Sequence, residues 1–538
     1  MTANTDDELD AATLEIVRNQ LESVAEEMGS VLVHSAYSAN IKERRDCSTA
    51  LFDAEGRLIA QAEHIPVHLG ALPASVRAAI EYGIDPGSVV ISNDPYDGGG
   101  SHLPDLTLVG PLTDDEETII GYGAVRAHHA DIGGSTPGSM PTGTEEIYGE
   151  GVRIPPVTLR RDGDIDTGVL ELLLANVRNP TERNADLRAQ LGAIERAQDR
   201  IDELQSAYTT DRLLAGFDAV IEYSRARMTD AIDAMTDGSH TATGWLEGDG
   251  RTETEISITA TVTIEGDSLT VDFEGTAPTV AGNVNAPPAV CYSGVYFVVR
   301  ALCDPNIPPN HGCFAPVTVS IPTDSLLDPS APAAVAGGNV ETSQRITDVV
   351  FDAFAGLISG RVPAQSQGTM NNITIGARDD SFTYYETIGG GMGARPDSDG
   401  IDGVQVGMTN TRNTPIEALE LEYPIHVERY GLRDDSGGAG EFRGGLGIER
   451  TLTLEESATV SLLTERRRRK PQGRAGGESG ATGENLINGE SIPAKTTRTL
   501  ASGTTISILT PGGGGYGSPA DRDPDAIATD LANEKRTD

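Results

Sequence analysis

Cysteine is scarce in this 538-residue chain: only Cys47, Cys291, Cys303 and Cys313 occur. Their spacing forms neither a CxxC pair nor a zinc ribbon. That excludes a disulfide framework and a cysteine metal site, and predicts a reducing, cytoplasmic setting. Lysine is equally rare, since Lys42, Lys470, Lys495 and Lys535 are the only lysines among 40 basic residues. Aromatics make up 4%, which argues against a thick aromatic core. No run of 18 apolar residues is present, and the acidic N-terminus lacks the basic start and apolar run of a signal peptide, so neither membrane insertion nor export is expected. There is no GxxxxGK[ST] loop and no GxSxG elbow, and the glycines of 438–444 follow no convincing parallel strand. The chain is therefore expected neither to bind a nucleotide nor to use a nucleophilic serine.

What is abundant is acid. Eighty-two Asp and Glu against 40 basic residues give a formal charge of −42, which repels polyanions and argues against a nucleic-acid partner. Acidity with so little lysine is of the halophilic type, suited to a salt-rich cytoplasm where carboxylate repulsion is screened. The one basic run, Arg466 to Lys470, is expected to pair internally or to meet an acidic neighbour.

Along the chain the pattern changes several times. Leu14, Val17, Leu21, Val24, Met28 and Val31 recur at spacings of three and four after a capping Asp10, which predicts an amphipathic helix. A second helix is expected over 68–83, a buried strand over 88–92, and strands over 106–109 and 123–127. Residues 168–236 read as helices broken near Asn179-Pro180 and Asp211. From 241 to 325 alternating Thr, Val and Ile predict antiparallel strands. Helix is expected again over 341–360, and strands separated by glycines over 368–395 and 440–510. The fold class is thus α/β in the mixed α+β sense and multi-domain. The expected division is an N-terminal metal-bearing α/β part with a helical layer (1–240), a β-rich domain (241–335), a mixed region (336–435) and a β-rich C-terminal region with an acidic tail (436–538).

Three of nine histidines fall between positions 102 and 129. His102 and Asp105 stand three apart on a constrained loop entering a strand, and a second strand delivers His128, His129 and Asp131. Adjacent strand ends would bring His102, Asp105 and either His128 or His129 together, with Asp46 at a strand start as a fourth ligand. Such a mixed N/O set suits Zn, Mn or Fe(II) and leaves a position open for water or substrate. The two adjacent histidines point to opposite faces of a strand, so whichever faces away, perhaps with Asp131, is a candidate proton carrier. The competing reading makes these carboxylates turn and cap residues and the histidine pair a satisfied polar cluster. His34, His64, His68, His240, His311 and His426 are scattered and read as structural.

The segments ERRDCSTALFD (43–53), NDPYDGGGSHLPD (93–105), RAHHADIGG (126–134), NIPPNHGC (306–313), TNTRNTPIEALE (409–420), SGGAGEFRGGLG (436–447) and TPGGGGYG (510–517) together resemble the hydantoinase B/oxoprolinase family over about residues 10 to 520. That family includes B subunits of ATP-dependent N-methylhydantoin and lactam hydrolases and related subunits of acetone carboxylases. The resemblance implies a metal held by Asp46, His102, Asp105 and His128, with His129 or Asp131 moving protons. It also implies a separate A subunit that binds ATP, a hetero-oligomer, and a small cyclic amide as substrate. Two alternatives accompany it: a subunit of an acetone-type ATP-dependent carboxylase, and a non-catalytic scaffold for the A subunit.

Overall fold

The computed structural model describes residues 10–62, 65–358, 360–377 and 379–537. His64 lies outside them. The N-terminal helix forms as the spacing predicts: α1 (Ala11–Ser35) is capped by Asp10, whose carboxylate accepts from Thr13 N–H at 2.7 Å, and it buries Val17, Leu21, Val24, Met28 and Leu32. After α2 (Ala39–Lys42) come β1 (Cys47–Asp53), β2 (Leu58–Ala62), α3 (Ala71–Tyr82), β3 (Val89–Ser92), β4 (Asp105–Thr113), β5 (Ile119–His128), β6 (Val157–Arg161) and β7 (Asp164–Ile165). These strands make one antiparallel sheet in the order β2-β1-β5-β4-β3-β6-β7. Successive side chains point to opposite faces. Leu51, Leu106, Leu108 and Val125 meet α1 and the long helix α5 on one side, and Ala50, Phe52, Val90 and Val109 meet α3 on the other.

The helical layer is α4 (Thr167–Leu174), α5 (Pro180–Ala207) and α6 (Thr210–Asp233). Its breaks fall where Pro180 opens α5 and where Thr209 caps α6. A second sheet follows, with β8 (Gly238–Leu246), β9 (Ile256–Glu265), β10 (Ser268–Asp272) and β11 (Val317–Ser320) in the order β11-β10-β9-β8. The expectation of strands throughout 241–325 fails at α7 (Pro288–Leu302), a helix rich in Val and Tyr that packs against α9 (Ser343–Ile358), with the short α8 (His311–Phe314) between them in sequence. A run apolar on most sides carries no period by which helix and strand can be told apart.

The remaining strands are β12 (Asn372–Ala377), β13 (Thr383–Thr387), β14 (Ile425–Leu432), β15 (Ile448–Leu454), β16 (Ala458–Leu463), β17 (Glu484–Ile487), β18 (Glu490–Ser491), β19 (Lys495–Leu500) and β20 (Thr505–Leu509). They form two further sheets, β13-β12-β16-β19 and β14-β15-β20-β17-β18, around a shared core of Ile373, Tyr384, Leu452, Leu462 and Ile508. Two helices complete the fold, α10 (Ile416–Glu422) and, in the acidic tail, α11 (Pro524–Ala532). Among the described residues no helix is long and apolar enough to cross a membrane.

The basic run pairs internally. Backbone N–H groups of Arg467, Arg468 and Arg469 donate to the Glu247 carboxylate at 2.6–2.9 Å, Arg466 meets Asp348 at 2.6 Å and Arg469 meets Glu255 at 2.6 Å. Beside it Lys495 is ion-paired with buried Glu465, while Glu341 accepts from the Thr369 hydroxyl at 3.0 Å and keeps Oε2 without a partner. Burial, reinforced by the Glu465 carboxylate and opposed by Lys495, pushes the Glu341 carboxyl up to about 8, from 4.5. Its stabilising contribution is therefore complete below pH 4.5, declines by about 1.4 kcal/mol per pH unit as the unfolded chain ionises first, and is lost as pH rises through about 8. Urea midpoints measured from pH 5 to 9 should show the wild type losing ground to Glu341→Gln as pH rises. Parallel curves would contradict this.

Candidate metal centre

Strand register assembles the site. In the β4–β5 pair Asp105 lies opposite His128, and in the β1–β5 pair Cys47 lies opposite Ala127. Asp46, His128 and Asp105 thus sit at the same end of three neighbouring strands, and His128 N–H donates to the Asp46 carbonyl at 3.0 Å. His102 comes from the turn just before β4, where its carbonyl accepts from Asp105 N–H at 3.2 Å. The glycines upstream make this turn possible: Gly99 has φ of +66°, and a Cβ on Gly100 would stand 2.5 Å from the Asn93 carbonyl oxygen. Asn93 fixes the loop by donating to the carbonyls of Leu103 and Val152 and accepting from Ile154 N–H. His102 Nδ1 is then 3.1 Å from Asp105 Oδ2, and the His102 and His128 rings are 5.0 Å apart.

Four residues that the sequence did not single out complete the surroundings. His68, read as structural, places Nε2 3.6 Å from Asp105 Oδ2, with Nδ1 2.9 Å from the Ser48 hydroxyl. Asn40 donates to the His128 carbonyl at 2.6 Å and stands 3.1 Å from its Nδ1. Tyr385, from β13, stacks on the His128 ring at 4.2 Å. Arg44 is fully buried over the Tyr385 ring at 4.9 Å and donates to Asn40, to the Tyr385 carbonyl and to the Thr387 and Thr411 hydroxyls. Nothing in local sequence links β13 to this end of the first sheet, some 340 positions away in the chain.

The electrostatics separate the groups. Burial opposes ionisation of Asp105, but His102 and His68 hold its carboxyl well below the usual range. Burial pushes Asp46 up to about 7, with Arg44 opposing, and no hydrogen bond to its carboxylate offsets this among the described residues. Burial and the nearby His102 keep His128 well below its ordinary value, hence neutral. Neutral imidazoles beside carboxylates are the protonation states that ligate a divalent ion.

Among the described residues no three His, Cys, Asp or Glu side chains close into a set that could hold a metal ion. The donors nevertheless fit one. His102 Nε2, Asp105 Oδ1 and His128 Nε2 are buried and have no partner, and such orphans in a native fold call for a ligand or water. His102 Nδ1–H directed at Asp105 Oδ2 leaves Nε2 with its lone pair, the usual support for a ligating histidine. Coordination through His128 Nε2 puts that ring's proton on Nδ1, so its contact with Asn40 is the one an arriving ion changes.

The two expected proton carriers do not reach this cluster. His129 turns to the opposite face, where Nε2 lies 3.0 Å from Gln190 on α5. The Asp131 carboxylate accepts from the N–H groups of Gly133, Gly138 and Arg178 and pairs with the Arg178 guanidinium at 3.1 Å, which makes it a loop fastener. Asp131→Asn is accordingly expected to lower the unfolding midpoint by the equivalent of about 2 kcal/mol while leaving the pH profile of turnover unchanged; a displaced pH profile at unaltered stability would contradict that role. Of the other histidines, His34 caps a carbonyl on α1 and His426 pairs with Glu420 at the surface.

The family model for hydantoinase B/oxoprolinase matches residues 10–519. A protein of Methanocaldococcus jannaschii is 41% identical over 537 residues, covering 98% of this chain and 94% of that protein. The 5-oxoprolinase 1 of Arabidopsis thaliana is 39% identical over 95% of this chain but only 42% of its own length, so the chain spans less than half of that relative. Among solved structures, the ATP-dependent caprolactamase from Pseudomonas jessenii matches with a TM-score of 0.92 at 29% identity, over 99% of this chain and 95% of that one.

Proposed function

The chain belongs to the hydantoinase B/oxoprolinase family, and from that premise we propose that it is the metal-bearing component of an ATP-dependent hydrolase of cyclic amides, working with a separate ATP-binding subunit. The observation that carries the reading is the set of buried, unpartnered donors on His102, Asp105 and His128, beside the unpaired Asp46 carboxylate, at the ends of adjacent strands. A Zn, Mn or Fe(II) ion held by these four would supply Lewis acidity toward a carbonyl oxygen or a water molecule.

The chain's own residues set the stage for that chemistry. Asp105 is kept ionised by His102 and His68 and in turn holds both rings in orientation. Asn40 and Tyr385 fix His128 from two sides, and Arg44 places a buried positive charge over the Tyr385 ring, near Asp46. The water-poor setting strengthens each of these interactions.

An unactivated lactam is a poor electrophile. The partner subunit would transfer the γ-phosphoryl group of ATP to the ring carbonyl oxygen. Water then adds at that carbon, the C–N bond breaks with nitrogen taking a proton to leave as the amine, and a second water releases phosphate from the acyl phosphate. Support for a partner comes from the 5-oxoprolinase relative, more than half of which has no counterpart here, and from the lack of a nucleotide signature in this chain.

The test is to copurify the chain with its partner and assay 5-oxoproline, hydantoin and caprolactam with and without ATP. Ring opening that needs ATP and both polypeptides is the expected result. Incorporation of labelled bicarbonate without ring opening would establish the acetone-type carboxylase instead.

A further inference from the structure

The face of β12 and β13 that turns toward His128 carries polar atoms the fold leaves unsatisfied. Asn372 is the register partner of Thr387, and Thr374 of Tyr385. These four therefore project to one side, while Ile373, Ile375 and Tyr384 enter the apolar core on the other. All four are buried. Thr387 is used by Arg44, but Asn372 Oδ1 and Thr374 Oγ1 have no partner. Asn372 Nδ2 donates to the Tyr385 hydroxyl at 3.1 Å. With that lone pair taken, the phenol still has its proton to give, and no acceptor for it is found among the described residues.

A cavity of about 800 Å³ reaches this face. It is lined by Pro66, Gln344, Gln405 and Thr409 among others, and Gln405 Nε2 donates to the Thr387 carbonyl at 3.1 Å while its Oε1 is itself unpartnered. A path of unsatisfied polar groups thus runs from the cavity to the ring stacked on His128.

The pair at its end matches one chemical group. Asn372 offers a carbonyl acceptor and Tyr385 a hydroxyl donor, held side by side by their own hydrogen bond. An amide confined to a small ring is cis, so its N–H and C=O lie side by side on one edge, whereas a trans amide presents them on opposite sides. Buried polar groups left open in this way reject analogues that cannot pair with them. We propose that Asn372 and Tyr385 recognise the cis-amide edge of the ring, Asn372 Oδ1 accepting from the ring N–H and the Tyr385 hydroxyl donating to the ring carbonyl oxygen, so that secondary cyclic amides are selected over N-alkylated ones. This rests on the cyclic-amide reading above. Phosphorylation at oxygen leaves the ring N–H in place, so the Asn372 contact survives activation, and stacking of Tyr385 on His128 presents the carbonyl carbon to the four-residue cluster.

The experiment is saturation-transfer NMR of the purified full chain with 2-pyrrolidinone and N-methyl-2-pyrrolidinone, with unfolding midpoints recorded for each variant. Wild type is expected to bind the N–H compound at least about tenfold more tightly. Asn372→Ser should bring that ratio close to one, Asn372→Asp, which retains an acceptor, should preserve it, and Tyr385→Phe should weaken both compounds by about five- to tenfold with the ring stack kept. A ratio that persists in Asn372→Ser overturns the pair while wild-type binding leaves the cyclic-amide reading standing. Wild type that binds neither compound removes both. Because the readout is a ratio within one variant, a general loss of folding cannot imitate it.

Discussion

Turnover by the assembled enzyme is expected to fall by about 10²- to 10⁴-fold in Asp105→Ala, the range lost when a group acting directly at a reacting centre is removed. Asp105 stands at the middle of the cluster. Its Oδ2 is shared by His102 Nδ1, His68 Nε2 and the Ser101 hydroxyl at 2.5 Å, and its Oδ1 is free. Alanine removes a donor oxygen and at the same time releases the two imidazoles that the carboxylate orients. Asp105→Asn should fare little better, because an amide nitrogen turned toward His102 opposes the ring N–H it faces. Ser101→Ala, which removes a single hydrogen bond to the same oxygen, should cost no more than about tenfold. Asp105→Ala retaining half of wild-type turnover would remove the residue from the chemistry.

Arg44→Met is expected to lower stability by about 3–5 kcal/mol, the cost typical of removing one partner from a buried charged network. The guanidinium is fully buried and joins three parts of the fold: Asn40 on α2, Tyr385 and Thr387 on β13, and Thr411 in the following loop. Methionine fills much of the volume but leaves the Tyr385 carbonyl and the Asn40 side-chain oxygen without donors. Because Asn40 and Tyr385 also hold His128, turnover should drop with stability. An unfolding midpoint displaced by less than the equivalent of about 1 kcal/mol would show that the N-terminal sheet and β13 are held together by other means.

Much of the site could be read from sequence because its parts are carried by short, strongly patterned segments. Gly99 and Gly100 mark a turn only glycine can make, Asp105 opens a strand, and His128 closes the next, so antiparallel pairing alone places them opposite each other. The alternation along β5 also implies that His128 and His129 face apart, and the cluster on one side and Gln190 on the other decide which is which. Asp131 misled because a carboxylate beside a histidine pair has the same sequence signature whether it moves protons or fastens a loop; the difference lies in Arg178, 47 residues on. His68 belongs to a three-residue turn with no periodicity of its own, and Tyr385 and Asn372 reach the site only through packing of a later sheet against the first. The helix α7 was hidden for a related reason: full burial erased the pattern that would have identified it.

Elemental analysis of the purified chain tests the central claim most directly. One Zn, Mn or Fe per chain in the wild type, falling to below about a tenth in His102→Ala and His128→Ala at unchanged folding, is the predicted result. Wild type with no bound divalent ion after dialysis against each of the three metals, or variants that retain a full equivalent, would contradict it.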